Sequence, residues 1–287
     1  MQNFVILTDS CCDLPLEIIN SNKLDYVPLT YQLAGKEYFD DFGHSLTYEE
    51  FYQAMKAGNV VKTSQATSQA FYNKFLDYVI RDIEILYIGV STGLSGTYNS
   101  ANLAKRTILE DYPAAKITLV NTLTASMGQG LLVLKALGLQ KQGRTLAEIV
   151  EYLTERIKTF KTFMTVNDLH YLKIGGRIST IQYSIGSLLK INPMLRLDQE
   201  GKVGIIDRVR GRKRAIQHLV NSLKENVVGS SAQIIAMSHG NCIEEAYLLK
   251  DEIEKNINTK EIHLGIIGPV VGAYGGPGAL AVFLMNE

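Results

Sequence analysis

The sequence predicts an α/β fold built in two unlike halves, and three observations carry that prediction. Short, nearly continuous apolar runs rich in β-branched residues, Phe4 to Leu7, Ile85 to Val90 and Ile117 to Val120, read as strands buried on both faces, as in a parallel sheet covered by helices. Longer amphipathic stretches separate them, the strand–helix alternation of βαβ units. Beyond residue 160 the pattern changes and reads as a mixed α+β arrangement. At roughly 100–200 residues per domain, 287 residues make two domains or one large one.

The elements follow in order. After the first strand, Lys36 to Asp40 behind Ala34-Gly35 looks like a short hairpin arm. Helical patterns cover Tyr48 to Ala57, Ser68 to Arg81, Thr97 to Leu109 and Met127 to Lys141, and a helix from Thr145 to Lys158 closes the first half. Lys161 to Val166 is the next strand, then a short helix, Asp168 to Lys173, runs into Gly175-Gly176. Pro193 to Asp198 and Val203 to Asp207 resemble two strands joined by a turn at Gln199-Glu200-Gly201. A helix (Arg212 to Lys224), a strand (Gln233 to Met237), a helix (Ile243 to Ile257) and a strand (Ile262 to Ile267) complete the pattern before a glycine-rich loop. The expected division is 1–160, a parallel-sheet, Rossmann-like lobe, and 161–287, a mixed α+β lobe, with no Pro- or Ser-rich linker between them.

Composition excludes several classes. Lys plus Arg (29) cancels Asp plus Glu (29), so no basic excess exists to hold a nucleic-acid backbone. The three cysteines, Cys11, Cys12 and Cys242, form no CxxC and read as those of a reduced, cytosolic protein. The five histidines show no ligand spacing, so no metal is expected. The opening MQNFVILTDS lacks the features of a signal peptide, and no stretch of 18 or more apolar residues occurs, so no transmembrane segment is expected.

Polar residues gather where strands end. Thr8-Asp9-Ser10, Ser91 to Thr97 and Asn121 to Ser126 each follow a predicted strand. In a parallel sheet these loops share one edge, where ligands bind and helix N-termini favour anions. A further cluster, Lys62-Thr63-Ser64-Gln65-Ala66-Thr67-Ser68, precedes a helix. Helix capping explains any single hydroxyl here, and a binding site explains their convergence.

Catalytic signatures fail. Gly93-Leu94-Ser95-Gly96-Thr97 lacks the last glycine of a nucleophile elbow. Gly128-Gln129-Gly130 lacks the third glycine of a dinucleotide fingerprint and fits close helix packing, and there is no phosphate loop. In Gly175-Gly176-Arg177-Ile178-Ser179 the glycines permit a sharp turn, and Arg177 offers a donor fork to a carboxylate or phosphate, unless it is only a surface arginine after a helix end. Arg208, Arg210, Arg212, Lys213 and Arg214 form a basic patch, either a solvated helix start or a docking surface for an acidic partner. Within Gly268 to Gly278, Tyr274 is either a core residue or a phenol offered to a polar head group.

The chain resembles the DegV family of bacterial fatty-acid-binding proteins. The matching motifs are Thr8-Asp9-Ser10 with Asp13-Leu14-Pro15, Lys62-Thr63-Ser64-Gln65, Leu94-Ser95-Gly96-Thr97-Tyr98, Leu169-His170-Tyr171-Leu172 with Gly175-Gly176-Arg177-Ile178, and the glycine-rich C-terminal segment. Each alone is weak; in the family's order across nearly the whole chain they are specific. The resemblance implies two α/β lobes enclosing one long-chain fatty acid such as palmitate, with Thr63 and Ser95 on the carboxylate. Ser64, Thr97, Arg177 and Tyr274 belong to the same expected ligand-binding set. It further implies a cytoplasmic, lipid-carrying subunit of a fatty-acid kinase, with no catalytic residue, cofactor or metal of its own. A separate kinase subunit would phosphorylate the bound carboxyl group with ATP, docking near Arg210. One position departs from the pattern: Tyr274 stands where the family loop has histidine, placing a phenol that stays protonated near neutrality where an imidazole titrates. The other readings are a serine-dependent acyl hydrolase or transferase using Ser95 or Ser91, and a regulatory protein whose lipid is structural.

Overall fold

The computed structural model describes residues 4–179 and 191–286. Strands β1 (Phe4–Asp9), β2 (Asp25–Val27), β6 (Glu84–Gly89) and β7 (Ile117–Asn121) form an all-parallel sheet in the order β2-β1-β6-β7. A small antiparallel sheet joins β3 (Thr30–Leu33) to β4 (Lys36–Phe39) and β5 (Lys62–Ser64). The six-stranded sheet runs β10-β9-β8-β13-β11-β12, from β8 (Lys161–Thr165), β9 (Ile191–Leu197), β10 (Val203–Arg210), β11 (Gln233–His239), β12 (Thr259–Ile266) and β13 (Leu280–Met285). Only its β11–β12 pair is parallel.

Helices α1 (Leu16–Asn22), α2 (Tyr48–Lys56), α3 (Ser68–Val79), α4 (Thr97–Asp111), α5 (Met127–Lys141) and α6 (Leu146–Thr159) belong to the first half. The second carries α7 (His170–Ile174), α8 (Arg212–Asn226), α9 (Ile243–Asn256) and α10 (Pro269–Gly275). Capping boxes start α2 at Thr47 and α6 at Thr145, where the threonine and the glutamate three residues on exchange hydrogen bonds.

Helix α5 joins the halves. It is apolar on all sides, the pattern of a buried helix, and Met127, Leu131, Leu132, Val133, Ala136 and Leu137 are buried. One core cluster unites Ile6, Leu86 and Ile88 of the parallel sheet, this helix, and Ile234, Ala236 and Phe283 of the larger sheet. Glycines set the spacing: a Cβ on Gly128 would lie 2.5 Å from the Phe283 ring, and one on Gly130 would lie 2.7 Å from the Cys12 carbonyl. The outer face of the larger sheet packs on Leu219, Leu223, Leu249 and Ile253 of α8 and α9.

Two expectations need correction. The segment Gly268 to Gly278 is not one loop: Pro269, fixed near helical φ, starts α10. Strand β13 has no counterpart among the expected elements, yet its six residues are all buried near the middle of the larger sheet. Strands β2, β3 and β5 likewise have no counterpart among the expected elements; they are three or four residues long, too short for a periodic signal.

Candidate functional site

A cavity of about 260 Å³ lies between the C-terminal edge of the parallel sheet and the inner face of the larger one. Its wall is mostly apolar, including Val90, Leu94, Met164, Leu197, Val270 and Phe283. Among the described residues the lining holds one charged side chain, Arg177, and neither histidine nor carboxylate.

Four of the six expected ligand residues line it: Thr63, Ser95, Arg177 and Tyr274. The Thr63 hydroxyl is hydrogen-bonded to the Tyr274 phenol. The Arg177 guanidinium stands 4.1 Å from the centre of the Tyr274 ring, a cation–π contact. Its Nε and Nη2 both donate to the Leu94 carbonyl, at 3.0 and 2.8 Å, and Nη1 donates to the Gly175 carbonyl. Arg177 is thus bracketed to backbone and not extended freely as a fork.

Ser64 and Thr97 are elsewhere. Successive side chains on a strand point to opposite faces; on β5, Thr63 pairs with Tyr31 while Ser64 is exposed and outside the lining. Thr97 is fully buried at the start of α4. Its N–H donates to Ser95 Oγ at 3.2 Å, the two hydroxyls are 2.9 Å apart, and its Oγ1 accepts from the Ala66 N–H at 3.3 Å. Arg210 ends β10, exposed and away from the cavity. Of the surrounding basic patch, Arg212 is committed to Glu245 (Nη2 to Oε2, 2.8 Å) and the Gly278 carbonyl.

The convergence of hydroxyl loops is only partly realised. Thr8 donates to the Ile88 carbonyl, and Ser10 Oγ accepts from the Leu29 N–H. Thr122 donates to the Gly89 carbonyl, and the Thr124 and Thr162 hydroxyls bond to each other. These groups hold strand ends together. Ser91 is 0% exposed and its hydroxyl donates to the Gly201 carbonyl, which removes it as a nucleophile.

Residues outside the expected ligand-binding set also shape the cavity. Gln65 lines it and donates to Ser100 Oγ at 2.9 Å; Gly96 leaves room, since a Cβ there would fall 2.0 Å from Gln65 Oε1. A second polar patch is formed by Ser126 and Ser238, 3.1 Å apart. Ser126 has φ of 54° and ψ of −146°, a strained conformation for a non-glycine residue. Its hydroxyl donates to Asp13, behind the wall. Ser126 ends one of the hydroxyl loops read from the sequence, whereas no local pattern signals Ser238.

Behind the wall lie three buried acids. Asp9 accepts from the N–H groups of Cys11 (3.0 Å) and Val90 (2.9 Å) and from the Tyr87 phenol (2.7 Å), tying the ends of β1 and β6; burial raises its carboxyl above the usual range. Burial and the nearby Asp40 push Asp13 well up, and burial pushes Asp40 up to about 7. Burial likewise drives the Cys11 thiol, in the cavity wall, well above its usual value, so it is inert. Among the described residues no cluster of His, Cys, Asp or Glu has the arrangement of a metal site, and no helix is long and apolar enough to cross a membrane.

This is an α/β architecture of three sheets, the two larger ones enclosing an apolar cavity with one polar, positively charged end. The chain belongs to the DegV family: the family model described as "Uncharacterised protein, DegV family" matches residues 3–287. A DegV domain-containing protein of Clostridium perfringens is 38% identical over 100% of this chain and 99% of its own. The structure of a DegV family protein from Thermus thermophilus, titled for fatty-acid binding, superposes with a TM-score of 0.90 at 27% identity, covering 100% of both chains. That of a stearic-acid-binding protein from Eubacterium ventriosum gives a TM-score of 0.90 at 26% identity over 99% and 98% of the two chains.

Proposed function

We propose that the protein binds one long-chain fatty acid, its carboxylate held by Thr63 and Ser95 and its acyl chain buried in the cavity between the sheets. The observation that carries this reading is the pairing of an apolar wall with two cavity-facing hydroxyls beside a lone guanidinium. Ser95 precedes the N-terminus of the fifteen-residue α4, which favours an anion. Two relatives of the same fold are titled as fatty-acid or stearic-acid binders.

The energetics divide the work. Each buried methylene contributes about 0.8 kcal/mol, so a chain of about fourteen gives roughly 11 kcal/mol gross. A hydrogen bond to a charged group adds about 1.5–3 kcal/mol. The apolar wall supplies affinity; the hydroxyls select and orient the acid. In this reading the chain carries the ligand and leaves its chemistry to a separate partner, with the Ser95 hydroxyl bonded to Thr97. The family resemblance extends the proposal to a cytoplasmic lipid carrier that presents the carboxyl group to a separate kinase subunit docking near Arg210.

Denaturation of the purified protein followed by chromatography and mass spectrometry of the extract tests the reading. One equivalent of free fatty acid is expected. An acyl group covalently attached to Ser95 would point to the hydrolase or transferase chemistry, and absence of any lipid together with no uptake of added palmitate would overturn both.

A further inference from the structure

We propose that Ser238, backed by Ser126, recognises an oxygen carried part-way along the acyl chain, so that the cavity takes a mid-chain hydroxy fatty acid in preference to the plain saturated acid, a role that rests on the fatty-acid reading above. Both serines line the cavity, and they are only 1% and 3% exposed. On β11, Ile234 and Ala236 face the core shared with α5, and Ser238, two residues on, continues that face. Its partner across the sheet is Ala281, and Ala125 precedes Ser126. An apolar side chain at Ser238 would complete this wall; a hydroxyl interrupts it.

The hydrogen bonds of the pair leave capacity over. A hydroxyl has one proton and two lone pairs. Ser126 is fixed in place by its N–H, which donates to the Cys11 carbonyl at 2.7 Å, and its hydroxyl donates to Asp13. The Ser238 oxygen lies 3.1 Å from that of Ser126 and has no other partner among the described residues. With the Ser126 proton on Asp13, both lone pairs of Ser238 are without a donor. A methylene chain filling the cavity would displace water from this oxygen and give nothing back, which is unfavourable for a buried polar group. A hydroxyl on the chain restores a bond as donor, and it can accept the Ser238 proton instead.

The position and the charge of the patch separate it from the carboxylate end. A Cβ on Gly268, at the start of α10, would lie 2.6 Å from Asp13 Oδ1, whereas Tyr274 is six residues on, at the other end of that helix. At 1.5 Å per residue the two ends are about 9 Å apart. An extended chain with bonds of about 1.5 Å covers that length in about seven carbons. The group behind Ser126 is an acid, with Asp40 near it, and the single charged side chain lining the cavity among the described residues, Arg177, belongs to the Tyr274 end. A second carboxylate or a phosphate would find no cation here, so the fitting ligand group is a neutral hydroxyl.

The test measures binding, by lipid-free protein, of palmitate and of its monohydroxy isomers, each with the hydroxyl on a different carbon. In the wild type, isomers with a mid-chain hydroxyl are expected to bind about fivefold more tightly than palmitate, and isomers with the hydroxyl at the chain end more weakly. Ser238→Ala is expected to lose the mid-chain preference. Ser238→Cys, which offers only a weak donor, is expected to keep part of it, and the Tm of each variant checks that it is folded. If the wild type binds palmitate and ranks every hydroxy isomer below it, the pair is satisfied by bound water alone; the inference is overturned and the fatty-acid reading stands. A mid-chain preference that survives in folded Ser238→Ala overturns it equally. A wild type that takes up neither palmitate nor any isomer overturns the fatty-acid reading itself.

Discussion

Replacing Asp40 by asparagine should flatten the dependence of stability on pH. Asp40 is 1% exposed, follows β4, and sits near Asp9, Asp13 and Asp41. Burial is the largest influence on its carboxyl and raises it from 3.8 to about 7; neither carboxyl oxygen has a hydrogen-bond partner among the described residues. The folded state therefore binds the proton more tightly than the unfolded chain. The stability that this proton contributes is complete below about pH 4 and is lost as pH rises through about 7. At about 1.4 kcal/mol per pH unit, the loss from this residue alone is about 3 kcal/mol between pH 5 and pH 8. Asp9 and Asp13, also raised by burial, act in the same direction. Asparagine is near-isosteric and cannot ionise. Urea unfolding from pH 5 to pH 8 should show wild-type stability falling across the range, with Asp40→Asn falling by about 3 kcal/mol less. Parallel curves for the two proteins would refute the argument that Asp40 titrates in the fold near neutrality.

Other expectations concern the cavity and its frame. If the protein serves a partner kinase as proposed, Ser95→Ala should reduce phosphorylation of the bound acid more than it reduces lipid retention, because the apolar wall holds the tail; equal losses in kinase assay and lipid extraction would contradict that division. Gly128→Ala should destabilise by about 1–3 kcal/mol, since its methyl meets Phe283 and Thr124 oxygen at 2.5 and 2.6 Å; calorimetry should show a lower Tm, and an unchanged Tm would mean that the helix can shift away. Cys11 and Cys12 should resist iodoacetamide at pH 8 until the protein unfolds, being buried with thiols pushed far up; mass spectrometry of the native protein showing either one alkylated would contradict their placement.

Much of the frame is legible in residue order because burial leaves periodic marks. The runs at Phe4 and Ile85 are strands of the sheet interior, and the one at Ile117 is the edge strand, buried at Ile117 and Val120. The all-round apolar α5 announces a helix with neighbours on every side. Leu280–Met285 carries a comparable run, but one apolar hexapeptide at a chain end does not say whether it is strand or helix, and pairing with β8 and β11 decides it. The glycine-rich segment before it misleads because close approaches need glycine as much as turns do: Gly272, inside α10, faces the Tyr52 phenol, which a Cβ would meet at 2.6 Å.

The amino-acid order alone determines three strands of the parallel sheet and the five longer helices of the first half, the hydroxyl-bearing loops after those strands, the lack of nucleotide and metal motifs in the sequence, and the family resemblance. All of these are local: a period, a spacing or a short motif. Tertiary structure decides the rest. Thr63 rather than Ser64 enters the cavity through register with Tyr31; Arg177 meets the Leu94 carbonyl 83 positions away; Tyr274 reaches Thr63 across 211 positions. Such meetings depend on how two sheets close around α5, and the direction a side chain takes there is a property of packed backbone that no stretch of neighbouring residues encodes.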